Sequence, residues 1–384
     1  MFVDCDANAT YALDERGREL IVEAIQLLGN PSSLHRGGQR AKNAVDDARD
    51  ALCRLLGIDG AIRGKYRVLF TSGATEANNL LIASHSRPGR RVVSTQVEHP
   101  CVLMPLERAA ADGCDVQLAE VTPQGIVTAD TVLSLVNEDT SLVSLMSANN
   151  ETGVVNEVGA VGSALRARAG ERVILHSDVA QVLGKGPFSM VDLGVDAVTI
   201  SGHKFGSVSG VGALIVHESV SLKPIILGGP QEEKLRGGTE NVLGIVHMGL
   251  VAKEIASEVA VRAQAMQRVR DAFEKTVQAK LPGCECNGAN LQRLPNTSSV
   301  FIPGVRADDL VVALDLKGIL VSAGAACSSG KPQPSHVLTA MGQDEERVRQ
   351  TVRFSFRADQ SEELGKQVAE AVIQAVSRMR ALRE

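Results

Sequence analysis

The chain has 384 residues, more than one core usually serves, so two domains or one large domain with an appendage are expected. Apolar residues make up 44% and charged residues 22%, as in ordinary soluble proteins, and a net charge of −5 with no Lys/Arg block argues against nucleic acid as a direct partner. Seven irregularly spaced cysteines do not suit a secreted disulfide framework, no apolar run reaches the roughly 20 residues that span a membrane, and a reducing, cytoplasmic compartment is expected.

In chain order, the opening MFVDCDANAT has two acids in its first six residues and lacks the basic region and apolar stretch of a targeting peptide. Residues 41–56 read as a helix. The buried-strand run VLFT at 68–71 leads into TSGATE at 71–76 and a helix over 75–84. Small residues between a strand and a helix let backbone N–H groups approach a phosphate, with the Thr75 hydroxyl as a further donor; a plain helix cap is the alternative. Further strands are expected at 91–94, 142–145, 173–176 and 197–200, most of them apolar on both faces, as in a parallel sheet covered by helices. The alternation predicts an α/β layered domain.

Two strand ends carry chemistry. In LHSDVAQ at 175–181, Asp178 either caps the next helix or supplies the carboxylate that pyridoxal phosphate needs against its ring nitrogen; in the second case Gln181 can reach the ring hydroxyl. In ISGHKF at 200–205, Lys204 is either a loop lysine or a desolvated amine suited to Schiff-base chemistry with a carbonyl cofactor. Together with the loop at Thr75, these sites fall at strand ends, where open α/β sheets bind ligands. From about residue 250 the texture changes. A long helical pattern over 251–280 ends at Leu281-Pro282-Gly283; strand-like runs follow at 298–302 and 352–356, then an amphipathic helix at 362–382. This reads as a smaller α+β domain. Within it, SAGAACSSG at 322–330 surrounds Cys327 with residues that pack little, unlike Cys53, which falls on an apolar helical face.

The chain resembles the cysteine desulfurases of the NifS/IscS type, within the class V aminotransferase group. The resemblance rests on DANAT at 6–10, GNPSSLHR at 29–36, TSGATEANN at 71–79, VEH at 97–99, ANNETG at 148–153, HSDVAQ at 176–181, SGHKF at 201–205, GGTEN at 237–241, SAGAACSSG at 322–330 and VRFS at 352–355. It implies a pyridoxal-phosphate fold of type I, with a large cofactor-binding domain over 15–250. A small domain, from 1–14 and 251–384, would carry the cysteine loop and the carboxylate-binding arginine.

By the same resemblance, Lys204 would bind pyridoxal 5'-phosphate covalently, Asp178 would pair with its ring nitrogen and Gln181 with its ring oxygen. His99 would stack on the ring and act as acid or base. Thr75, Ser201 and His203 would bind the phosphate, joined by Thr239 from a second subunit, which implies a homodimer. Asn150 and Arg353 would hold the carboxylate of L-cysteine, the planar guanidinium matching it in two places. Cys327 would take the sulfur as a persulfide and pass it to an acceptor or scaffold protein for iron–sulfur assembly or tRNA thiolation. No metal site is expected. Cys327 and the residues after it resemble the branch whose longer loop delivers the persulfide. One departure stands out: after Lys204 the family usually has a Gly-Pro-Lys-Gly turn, whereas this chain has GSVSG at 206–210, expected to be more flexible. A related class V lyase or a selenocysteine-directed enzyme, and a non-catalytic scaffold-binding relative, are the competing readings.

Overall fold

The computed structural model describes residues 2–168, 173–324 and 334–382. After the short strand β1 (Val3–Asp4) come α1 (Glu15–Ile25) and α2 (Arg36–Leu55). Helix α2 starts five residues before the expected 41 because His35 caps it, its Nδ1 accepting from the Gly38 N–H. The chain then alternates β2 (Tyr66–Thr71), α3 (Ala74–His85), β3 (Arg91–Thr95), α4 (Pro100–Ala111), β4 (Asp115–Ala119), α5 (Ala129–Ser134), β5 (Thr140–Ser144), α6 (Val158–Ala167) and β6 (Ile174–Asp178). Strands β7 (Ala197–Ser201) and β8 (Gly212–His217) follow with no α-helix before either, and α7 (Val242–Lys280) leaves this region as a 39-residue helix. The remainder comprises β9 (Glu285–Cys286), β10 (Thr297–Phe301), α8 (Ala307–Asp315), β11 (Ile319–Leu320), β12 (Ser322–Ala323), α9 (His336–Ala340), α10 (Glu345–Arg349), β13 (Thr351–Ser355) and α11 (Glu362–Ala381).

Seven strands form the central sheet in the order β2-β8-β7-β6-β5-β3-β4. All neighbours are parallel except β8, which runs antiparallel to both β2 and β7. The sheet is therefore mainly parallel, as expected, and the carboxyl ends of β2, β3, β6 and β7 share one edge. Apolar cores cover both faces: one holds Val93, Val143, Leu175 and Ile200 with α2 and the first half of α7, the other Leu69, Val92, Leu142 and Leu214 with α3 and α4. Helices α2 and α7 touch at Gly249, where a Cβ would lie 2.4 Å from that of Ala48; only glycine permits that approach.

A four-stranded sheet, β12-β13-β10-β9, carries a separate core with the second half of α7, α8 and α11. Phe273 stacks there between Phe354 and Phe356, with ring centroids 4.5 and 5.4 Å apart. The N-terminus belongs beside this sheet: β1 pairs in parallel with β11, Asp6 bridges Ser355, and Cys5 sits in the same core.

Candidate active site

Nine of the expected residues line one cavity of about 590 Å³ at the carboxyl edge of the central sheet: Thr75, His99, Asn150, Asp178, Gln181, Ser201, His203, Lys204 and Arg353. One wall grows from the strand ends. Past β2 the chain turns at Gly73 into α3, and no side chain caps this helix, so its first N–H groups remain for an anion. Strand β8 runs close beneath: a Cβ on Gly212 would lie 2.6 Å from the Ile200 carbonyl and 2.7 Å from Gly73. Ser201 and His203 close the same corner from β7. The His203 Nδ1 lies 3.0 Å from the Thr10 hydroxyl, and burial beside Lys204 pushes its pKa down to about 4.

Asp178 ends β6, nearly buried. Its Oδ2 accepts from Asn78 Nδ2 at 2.9 Å and its Oδ1 from the Ala180 N–H at 2.9 Å. Both bonds hold the carboxylate, and no salt bridge joins it among the described residues. Lys204 leaves β7 on a single 3₁₀ turn, and its Nζ donates to the carbonyls of Asn8 (2.8 Å) and Ala9 (2.9 Å). His99 caps α4, its Nδ1 accepting from the Cys101 N–H at 3.1 Å. The ring's proton therefore sits on Nε2. Burial lowers the His99 pKa, and the Lys204 charge adds to this against the pull of Asp178.

The opposite wall comes from the small sheet and the N-terminus. Arg353, on β13 and almost fully buried, donates from Nη2 to Asp6 Oδ1 at 2.7 Å and from Nη1 to the Asn150 carbonyl at 3.0 Å. Its Nε is buried with no partner among the described residues. Arg353 thus touches the Asn150 backbone, with Asp6 as its counter-charge.

The donors and acceptors fit pyridoxal phosphate: an amine at Lys204, a fixed carboxylate at Asp178, and an uncapped helix end with Ser201, His203 and Thr75 around it. Two expected residues stand apart from these nine. Thr239 is exposed and does not line it, and Cys327 lies outside the described residues. Among the described residues no cluster of His, Cys, Asp and Glu could hold a metal, and no helix is long and apolar enough to cross a membrane.

Sequence reasoning missed four contributors. Asn8 stood in a quoted motif without a role, yet its backbone carbonyl receives Lys204 and Gln181 and its side chain reaches Asn150. Lys185 supports Gln181 from behind; its signal was a lysine in the run VLGK at 182–185. His336 lines the cavity and donates from Nε2 to the Glu98 carbonyl at 2.9 Å. Cys101 also lines it, its thiol 3.1 Å from Asn78 Nδ2, although its spacing matches no ligand pattern.

The turn at 206–210 differs from expectation. The Ser207 hydroxyl lies 3.0 Å from His247 Nδ1, and the Val208 N–H donates to the same nitrogen at 3.3 Å. The His247 Nε2 proton goes to the Gly17 carbonyl at 2.9 Å. Burial lowers the His247 pKa and favours the neutral ring that this double acceptance requires. A buried histidine from α7 thus anchors a turn that lacks the family's proline.

The aminotransferase class-V family model matches residues 6–364. The cysteine desulfurase of Trichormus azollae is 37% identical, over 98% of this chain and 93% of that protein. The solved structure of a NifS-like protein from Rickettsia africae ESF-5 superposes with a TM-score of 0.87 at 31% identity, covering 99% of this chain and all of that one (100%). The structure of SspA in complex with cysteine gives 0.78 at 28% identity, covering 92% of this chain and 98% of that one.

Proposed function

The chain belongs to the aminotransferase class-V family, and on that premise we propose that it is a pyridoxal-phosphate-dependent L-cysteine desulfurase that collects sulfur on Cys327. The observation that carries this reading is the single cavity in which the Lys204 amine, the Asp178 carboxylate and the Arg353 guanidinium converge. When bound, the cofactor supplies an electron sink for the α-carbon of an amino acid. Lys204 would hold it covalently, Asp178 at the ring nitrogen and Gln181 at the ring oxygen. The N-terminus of α3 with Thr75, Ser201 and His203 would hold the phosphate.

The remaining work falls to the chain's own groups. Arg353 and Asn150 orient the substrate through its carboxylate. His99 carries a proton on Nε2 at the cavity wall and can exchange it with the substrate. The Cys327 thiolate attacks the substrate sulfur: an S–S bond forms, the Cβ–S bond breaks, and Cβ takes a proton. L-cysteine and the enzyme thiol thus become L-alanine and an enzyme persulfide, with no outside oxidant. Elimination supports Cys327 as the acceptor. Burial raises the thiol pKa of Cys5, Cys53, Cys101, Cys114, Cys284 and Cys286, which disfavours the thiolate that the reaction needs.

A homodimer completes the reading. Thr239 is exposed and does not line the cavity of its own chain, while Ile225 and Leu227, the latter 81% exposed, sit on the segment whose Gly228 packs against Gly237. Thr239 would serve the partner's phosphate from there. The persulfide would pass to an acceptor or scaffold protein for iron–sulfur clusters or tRNA thiolation in the cytoplasm. Incubation with L-cysteine and cofactor, without reductant, tests the chemistry by alanine release and peptide mass mapping. The expected result is one added sulfur on Cys327, abolished in Lys204→Ala. Alanine release with sulfur on a different cysteine would overturn the assignment of Cys327.

A further inference from the structure

Lys185 is a lysine with no business in an apolar core. It is 1% exposed, the bulkiest of the fully buried side chains among the described residues, and pairs with no carboxylate among them. Its Nζ donates to Gln181 Oε1 at 2.6 Å and to Asn8 Oδ1 at 2.9 Å. An isolated buried ammonium is costly. Burial, with Lys204 and Arg353 as like charges nearby, lowers the Lys185 pKa well below the usual lysine value. A neutral amine still has two N–H groups, enough for both of its acceptors.

Those two bonds decide how two amides face. With Oε1 taken by Lys185, the Gln181 amide turns its NH₂ the other way, where one N–H reaches the Asn8 carbonyl at 3.1 Å and the second is left over. Asn8 Oδ1 receives Lys185 and also Asn296 Nδ2 at 3.0 Å, so its own Nδ2 is directed to the Asn150 carbonyl (3.2 Å) and Thr297 Oγ1 (2.9 Å). The backbone carbonyl of the same Asn8 receives Lys204. One buried amine therefore stands behind the residue assigned to the cofactor ring and behind the residue that links Lys204 to the Arg353–Asn150 wall.

We propose that Lys185 is a positioning residue that fixes the polarity of the cavity's inner edge, so that Gln181 presents an N–H, not a carbonyl, to the ring oxygen of the cofactor. This rests on the cofactor assignment made above. A lysine that merely filled space would leave the cofactor's environment unchanged when replaced by an apolar side chain of similar length.

The test uses the full chain, with Lys185→Met, Gln181→Met and the double variant. Two quantities are read: the affinity of cofactor-free protein for pyridoxal phosphate, and the visible absorbance band of the bound cofactor at fixed pH. Lys185→Met is expected to weaken binding about tenfold and to shift the band, with Gln181→Met shifting it in the same direction. The double variant should change less than the sum of the two. Native affinity and an unmoved band in Lys185→Met overturn the proposal. If Lys185→Met does not fold, an unmoved band in Gln181→Met overturns it instead, because the route from Lys185 to the ring is then cut without effect. A native protein that takes up no pyridoxal phosphate overturns the functional reading itself, a result distinct from either variant outcome.

Discussion

The wall assigned above to the cofactor and the wall assigned to the substrate carboxylate, here the cofactor wall and the carboxylate wall, are assembled from opposite kinds of contact. On the cofactor wall each group sits in a short stretch that also shapes its own loop: Gly73 to Thr75 after β2, Asp178 to Gln181 after β6, Ser201 to Lys204 after β7. The Asp178 carboxylate is held in part by the N–H two residues on. On the carboxylate wall nothing is local. Arg353 meets Asp6 across 347 residues, and Asn8 meets Asn150 across 142. The first wall follows from the edge of one sheet; the second exists only once the N-terminus and the small sheet have come together over that edge. Asn8 joins them, through its carbonyl to Lys204 and its amide to Asn150.

If the walls are separable, damage to each should read out differently. The largest effect is expected for Lys204→Ala, which should lower alanine formation by at least about 10³-fold, measured against native protein at saturating cysteine. Arg353→Leu should raise the KM for cysteine by roughly 10- to 100-fold, the worth of a charge-assisted contact, without moving the cofactor's absorbance. A moved absorbance there would mean that the two walls act as one. Gly212→Ala forces a methyl group into backbone atoms under the phosphate corner, at about 1–3 kcal/mol. It should lower the melting temperature and weaken cofactor binding, while the KM for cysteine at saturating cofactor stays native.

The smallest effect concerns pH. His176, on the strand that ends in Asp178, is fully buried between the hydroxyls of Ser144 (2.9 Å) and Thr199 (3.1 Å), and burial pushes its pKa down to about 4. An unfolded histidine titrates near 6.5, so the unfolded chain takes up the proton first as pH falls. Its contribution is complete above pH ~6.5 and is lost toward pH ~4, amounting to about 1 kcal/mol by pH 5.5. His203, also near 4, acts in the same direction. Thermal melts of cofactor-free protein should show this decline, and His176→Gln should flatten part of it. A variant as pH-sensitive as the native chain would remove His176 from the account.

The strands at 68–71, 142–145 and 197–200 were legible because both of their faces are buried, leaving mostly apolar runs in which the polar residues are the small hydroxyls of Thr71, Ser144 and Thr199. Strand β4 escaped notice because it is an edge strand with Asp115 and Leu118 exposed and no clean alternation. Helix α7 begins at Val242, nine residues before the helical pattern shows itself. Its first turns are buried nearly all round, from Val242 to Gly249, so they carry no amphipathic period. The GSVSG turn looked loose since glycine and serine were weighed without the partner that holds them, and His247 lies 40 residues away from Ser207.

By itself the sequence determined the α/β class, the amine at Lys204, the carboxylate at Asp178 and the small-residue turn at Gly73, because each depends on neighbours within a few positions. Tertiary structure alone decided that Asp6 faces Arg353, that Asn8 ties the two walls, that Lys185 lies buried behind Gln181, and that His247 anchors the turn after Lys204. Apart from the bond from Lys185 to Gln181, four residues away, these are hydrogen bonds between groups far apart in the chain, Lys185 itself also reaching Asn8. Their geometry depends on how the packed cores bring the two sheets together, which no local spacing records.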